Sequence, residues 1–217
     1  MFFKDLLDDA RSIAKRDPAA KSTIEVILLY PGFHAVLLHR ISHWLYKKKL
    51  FFIARAISQF NRFITGIEIH PGAKIGKGLF IDHGKGVVIG ETSEIGDNCT
   101  IYHGVTLGGT GKERGKRHPT IGNNVLISAG AKILGPFKVG DNSKVGANAV
   151  VLCEVEPNTT VVGVPGRAVK RGESKIAPSI ELDQIHIPDP VAQELCRLRM
   201  RIERLEQALA KPESGED

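Results

Sequence analysis

The stretch at 76–96, GKGLFIDHGKGVVIGETSEIG, sets an aspartate directly before a histidine, Asp82-His83, in a run too rich in glycine to be an ordinary helix. An imidazole titrates at about 6.5 when unperturbed, so His83 has the basicity to take a proton from a hydroxyl at neutral pH. An Asp-His pair in a turn can equally be a capping, hydrogen-bonding pair, and the two residues alone leave both readings open. A second stretch, GGTGKERGKRHP at 108–119, ends a glycine-rich basic segment on Arg117-His118. Other small basic clusters stand at Lys47–Lys49 and Lys170–Arg171, and a small polyanionic ligand accounts for them as well as DNA would.

What must position these residues is a repeat. From Glu68 to about Val169 an aliphatic residue returns every six positions: Ile69, Ile75, Ile81 and Val87, then Ile89, Ile95, Ile101 and Leu107, then Ile121, Ile127, Ile133, Val139, Val145 and Val151. Period six fits neither a helix nor a long alternating strand. It fits short strands separated by tight turns, a parallel β-helix in which each aliphatic side chain stacks on its counterpart one coil away. Glycine and asparagine supply the positive φ of the corners. At three hexads per coil the segment makes roughly five coils. The register breaks twice. Two extra residues between Val87 and Ile89 imply a bulge or a wider corner, and eight residues between Leu107 and Ile121 must loop out of the coil. A basic, glycine-rich excursion from a rigid scaffold is where function tends to sit.

The flanks differ in texture. Residues 1–66 hold few glycines and space apolar residues at three and four, an N-terminal α-helical domain with Ser22 as N-cap and Pro31 opening a new helix. The β-helix then occupies 67–170, with its loop at 108–120. Beyond it, 171–217 is a polar tail with an amphipathic helix expected at about 188–210, whose seam is Val191, Leu195, Leu198, Ile202, Leu205 and Leu209. The whole chain has 217 residues, 42% hydrophobic and 25% charged, with a formal charge of +6, a globular composition with scattered rather than massed cations. Three cysteines, Cys99, Cys153 and Cys196, show neither a disulfide framework nor zinc-site spacing, so a reducing cytoplasm is expected. No run approaches the ~20 apolar residues of a membrane span, and acidic residues follow closely on the N-terminal MFF, so a soluble, unprocessed protein without a membrane partner is expected.

IEIHPGAKIGKGLFIDHGKGVVIGET, GVTLGGTGKERGKRHP and VVGVPGRAVKRG together resemble the bacterial serine O-acetyltransferase family of the hexapeptide acyltransferase superfamily, from about Arg16 to Arg171. The resemblance implies a left-handed β-helix and transfer of an acetyl group from acetyl-CoA to the hydroxyl of L-serine, the first step of cysteine biosynthesis. It makes His83 the general base, oriented by a carboxylate at Glu68, where many family members carry Asp. Asp82 and Asp17 match the acids that hold the substrate's ammonium group. Arg117 and His118 match the pair that meets its carboxylate across a subunit boundary, a task suited to a guanidinium. For the donor, Gly109 would let the backbone approach the pantetheine arm, Ala129 is small where that arm would run, and Lys144 and Arg167 would meet CoA phosphates. L-cysteine is implied as a feedback inhibitor and a homotrimer, or a dimer of trimers, as the assembly. The ending KPESGED lacks the isoleucine by which long forms dock into O-acetylserine sulfhydrylase, so that complex is not expected.

Three competing readings are open. A hexapeptide acetyltransferase acting on a sugar or drug hydroxyl shares the solenoid and a histidine but has no need of Asp17, Asp82, Arg117 and His118 together. A zinc β-helix hydratase needs three converging histidines with closer spacing than His83, His103 and His118 have, so no metal is expected. A non-catalytic scaffold remains. His39 and His43, four apart on a helix, read as packing residues; His103 falls one coil above His83; His70 reads as structural; Glu91 could serve the site or a corner.

Overall fold

The structure is a computed structural model and describes residues 2–109, 111, 114–171 and 202. The helix expected at about 188–210 and Cys196 therefore lie outside the described residues, Ile202 excepted. Four helices lead the chain: α1 (Phe2–Arg16), α2 (Thr23–Leu29), α3 (Pro31–Lys47) and α4 (Phe51–Thr65). Ser22 caps α2 by accepting the Glu25 N–H at 3.1 Å. Pro31 opens α3, and the chain bends by 69° between α2 and α3. Gly66, with φ +72°, ends α4 in the left-handed conformation. No single helix among the described residues is long and apolar enough to cross a membrane.

A parallel β-solenoid of five coils follows. β1 (Glu68–Ile69), β2 (Lys74–Ile75) and β3 (Phe80–Asp82) make the first coil; β4 (Val88–Ile89), β5 (Glu94–Ile95) and β6 (Thr100–Tyr102) the second; β7 (Thr106–Gly108), β8 (Thr120–Ile121) and β9 (Leu126–Ile127) the third. β10 (Lys132–Leu134), β11 (Lys138–Val139) and β12 (Lys144–Val145) complete the fourth, and β13 (Val150–Val151), a bridge at Val155 and β14 (Thr159–Val162) the fifth; β15 (Arg167–Arg171) folds back antiparallel on β14. The strands stack into three walls: the first through β1, β4, β7, β10 and β13, the second through β2, β5, β8 and β11, the third through β3, β6, β9, β12, β14 and β15. Inside run buried columns such as Ile69, Ile89, Leu107, Ile133 and Val151. At the edge between the second and third walls Asn98, Asn124, Asn142 and Asn158 all take positive φ. Their amides form a ladder, Asn124 to Asn142 at 3.1 Å and Asn142 to Asn158 at 3.2 Å.

The two breaks in period have distinct outcomes. Ile89 pairs with Leu107, eighteen residues on, the length of three hexads. Ile69 pairs with Ile89, twenty on, and the two extra residues fall in the turn at 83–87. Leu107 pairs with Ile133, twenty-six on, so the eight-residue excursion leaves after β7 and returns before β8. Both breaks therefore sit at edges of the first wall.

The helices are docked firmly on the first coils. Gly32 in α3 lies so close to the Ile81 carbonyl that a Cβ there would overlap it. Arg16, at the end of α1, is buried and bonds the carbonyl oxygens of Gly78, Asn98 (3.4 Å) and Cys99 (3.3 Å) and the Thr100 hydroxyl (3.3 Å). Burial lowers its pKa to about 10, still cationic at neutral pH. The Ser58 hydroxyl of α4 donates to the Ile69 carbonyl at 2.7 Å. The outer side of α4 leaves Phe52 88% and Phe63 86% exposed.

Candidate active site

The turn at 83–87 carries His83 at the edge between the third and first walls. Its φ of +49° lies in the left-handed region, rare for a residue with a side chain. The imidazole is 83% exposed, with Nε2 3.5 Å from Asp82 Oδ1. β3 pairs in register with β6, which sets His103 one coil above His83; β6 with β9 and β9 with β12 continue the column through Ala129 and Ala147. The edge thus passes from two imidazoles to two methyl groups, the narrow surface a thin acyl carrier could follow.

Asp17, just beyond α1, comes to the same edge. Its Oδ2 accepts the Tyr30 hydroxyl at 2.7 Å and its Oδ1 the Ala19 N–H at 2.8 Å. Burial raises the pKa of Asp82 above its ordinary value; His83 and His103 oppose the rise and the Asp17 carboxylate adds to it. Among the described residues the partners of this acid pair are a phenol, a backbone amide and imidazoles rather than lysine or arginine.

Arg117 and His118 lie at a different edge, between the first and second walls, where the excursion returns to β8. The Arg117 guanidinium is bound by Glu91, whose other oxygen accepts the Tyr46 hydroxyl at 3.1 Å. The Arg117 bond holds the Glu91 carboxyl below its usual range. His118 is buried, its Nδ1 2.9 Å from Thr92 Oγ1, and that oxygen also accepts the backbone N–H groups of Arg117 and His118 at 3.0 and 3.1 Å. Burial and then Arg117 lower the His118 pKa, which favours the neutral ring. Gly109 packs against Arg117 and His118, where a Cβ would lie 3.0 Å from the Arg117 carbonyl.

The structure thus brings Asp17, Asp82 and His83 together and Arg117 with His118, but separates the two groups by the first wall, roughly 15 Å of extended chain. Glu68, the expected orienting carboxylate, pairs with Arg55 at 3.2 Å and Arg62 at 3.4 Å on α4. Lys144 and Arg167 lie on the third wall, whose six strands begin at β3 and end at β15, a span of ~24 Å. Tyr30 and Thr92 are additions no local signal announced, and Glu91 proves to be the residue that holds Arg117.

Elsewhere, His39 is buried and His43 Nδ1–H donates to the Pro71 carbonyl at 2.8 Å, so both serve the docking of α3. They line a cavity of about 580 Å³ with Trp44, Lys47 and Ile75. Two further cations there, Arg40 and Lys74, are already paired with Asp9 and Glu94. No group of three or more His, Cys, Asp or Glu side chains suited to a metal ion occurs among the described residues.

Residues 118–153 match the family described as bacterial transferase hexapeptide (six repeats). The serine acetyltransferase of Bacillus licheniformis is 57% identical over 217 residues, all of both chains. A solved serine acetyltransferase in complex with cysteine superposes with a TM-score of 0.81 at 41% identity, over 85% of this chain and 71% of that one. The Brucella abortus serine acetyltransferase in complex with coenzyme A gives 0.76 at 47% identity, over 77% and 67%. By full-length identity and by fold, the chain belongs to the serine acetyltransferase family.

Proposed function

We propose that the protein transfers the acetyl group of acetyl-CoA to the hydroxyl of L-serine, giving O-acetyl-L-serine and CoA, in a site shared between two copies of the chain. The observation that carries this reading is the pair of carboxylates, Asp17 and Asp82, at the edge that bears His83. Two acids without a lysine or arginine partner among the described residues attract a cation, and the ammonium of an amino acid supplies one. A sugar or chloramphenicol does not.

In this reading His83 takes the proton of the serine hydroxyl as its oxygen attacks the thioester carbon. The tetrahedral intermediate collapses, the C–S bond breaks, and the imidazolium returns the proton to the departing sulfur. The serine carboxylate then needs a cation on its far side. Arg117 and His118 of the same chain are at the wrong edge, so a neighbouring copy supplies them, as the Arg117 guanidinium exchanges Glu91 for substrate or bridges both. A homotrimer meets this requirement with three equivalent sites, and the exposed Phe52 and Phe63 of α4 offer a surface on which trimers could pair.

The donor's arm would follow the edge past Gly109 of the neighbour and Ala129, with Lys144 and Arg167 toward its phosphates. L-cysteine, differing from serine by sulfur for oxygen, would occupy the acceptor site and act as inhibitor. Cys99 and Cys153, free among the described residues, suit a reducing cytoplasm, the setting of cysteine synthesis. A thiol-release assay with acetyl-CoA and L-serine, homoserine, galactosides and chloramphenicol tests the assignment. L-serine should be the best acceptor; release only with a galactoside or chloramphenicol would overturn it.

A further inference from the structure

We infer that Tyr30 is a positioning residue for the ammonium group of the acceptor, acting through Asp17; the inference rests on the amino-acid reading above. The Tyr30 hydroxyl donates to Asp17 Oδ2 at 2.7 Å while the Ala19 N–H fills Oδ1 at 2.8 Å, so the carboxylate is held from both sides in one rotamer.

Tyr30 is itself fixed with respect to the other acid. It stands at the 69° bend between α2 and α3, in extended backbone, with its N–H on the Val26 carbonyl and its carbonyl accepting the His34 N–H. Two residues on, Gly32 presses against the backbone of Ile81, the neighbour of Asp82 in β3. The ring packs beside the small core of Ala10, Ile13, Val26, Phe33 and Phe80. Tyr30 thereby sets the distance between Asp17, which follows the end of α1, and Asp82 at the end of β3.

The hydroxyl has an electrostatic effect as well. A hydrogen bond donated to a carboxylate favours its ionised form, which offsets the mutual repulsion of two acids sharing a site. Burial and the Asp17 bond raise the phenol's pKa, so it stays a protonated donor throughout the working range.

Tyr30→Phe removes one hydroxyl and keeps the ring. Expected is a rise of about 5- to 20-fold in KM for L-serine, with kcat and the KM for acetyl-CoA within about twofold of the parent. The preference for L-serine over 3-hydroxypropanoate, which lacks the ammonium group, should narrow, and within an Asp17→Asn background the hydroxyl should no longer matter. The preference is a ratio within one variant, so it reads the site even where Tyr30→Phe yields less folded protein. If Asp17→Asn raises the serine KM and Tyr30→Phe leaves the KM and the preference unchanged, the positioning role is refuted while the amino-acid site stands. If Asp17→Asn itself leaves the serine KM unchanged, the amino-acid reading fails and takes this inference with it. A fall in kcat and a rise in both KM values together would mark Tyr30 as packing only, and would overturn the inference.

Discussion

The ring of His118 occupies the space that a side chain on Gly90 would need: a Cβ built there would overlap Cδ2 and Nε2 of the imidazole. Gly90 has no positive φ to require glycine; the neighbouring ring requires it. Gly90→Ala should therefore move His118 off its Thr92 anchor without replacing a titrating group. A misplacement of about 1 Å can cost on the order of 10²-fold in rate. A loss of 10- to 100-fold in kcat/KM for serine is expected by steady-state kinetics, with the β-solenoid retained by circular dichroism. Unaltered kinetics would show that the position of His118 does not matter to the reaction.

His83 and Glu68 separate the roles of base and support. His83→Ala should lower kcat by two or more orders of magnitude while leaving acetyl-CoA affinity near that of the parent, as loss of a general base does. Glu68→Gln should cost less, since its carboxylate is occupied by Arg55 and Arg62 and the imidazole remains. Comparison of kcat for the two variants with acetyl-CoA binding by calorimetry checks both. Equal losses would mean that Glu68 leaves its arginines for His83 during turnover.

His39 makes stability depend on pH. Burial lowers its pKa to about 3 from 6.5, so the native state holds the ring neutral while an unfolded chain protonates it below about pH 6.5. The unfolded state then binds more protons, and stability falls as pH drops from about 6.5 toward 3, by at most about 1.4 kcal/mol per unit from this group. Urea unfolding at pH 7.0, 6.0 and 5.0 should show this slope, and His39→Gln should flatten it by about one proton. An unchanged slope in that variant would place the dependence on other groups.

Much of the scaffold was legible because one requirement, an aliphatic side chain on each wall of each coil, repeats every six residues. Departures from the period were as informative: the break counted between Val87 and Ile89 lies in the turn at 83–87 that carries His83, so Val87 belongs to the turn rather than to a strand, and the gap after Leu107 is the loop that carries Arg117 and His118. The stacking of His103 over His83 followed from the same count. Contacts set by docking were not legible. Tyr30 reaches Asp17 only because Gly32 brings α3 onto β3, and Glu68 meets Arg55 and Arg62 only because α4 folds back along the first wall. Glu91 meets Arg117 because coil stacking makes neighbours of residues 26 apart.

The central claim is that one chain carries the base and the acid pair while its neighbour carries the Arg117-His118 pair. His83→Ala and Arg117→Ala chains, each nearly inactive alone, should complement when co-expressed at equal levels and purified as mixed assemblies, because some sites then combine His83 of one chain with Arg117 of the next. Random mixing of two chain types makes about a quarter of the sites whole, so serine acetylation near a quarter of the parental rate is predicted. Mixed assemblies no more active than the two variants separately would contradict the shared site and return all of its residues to a single chain.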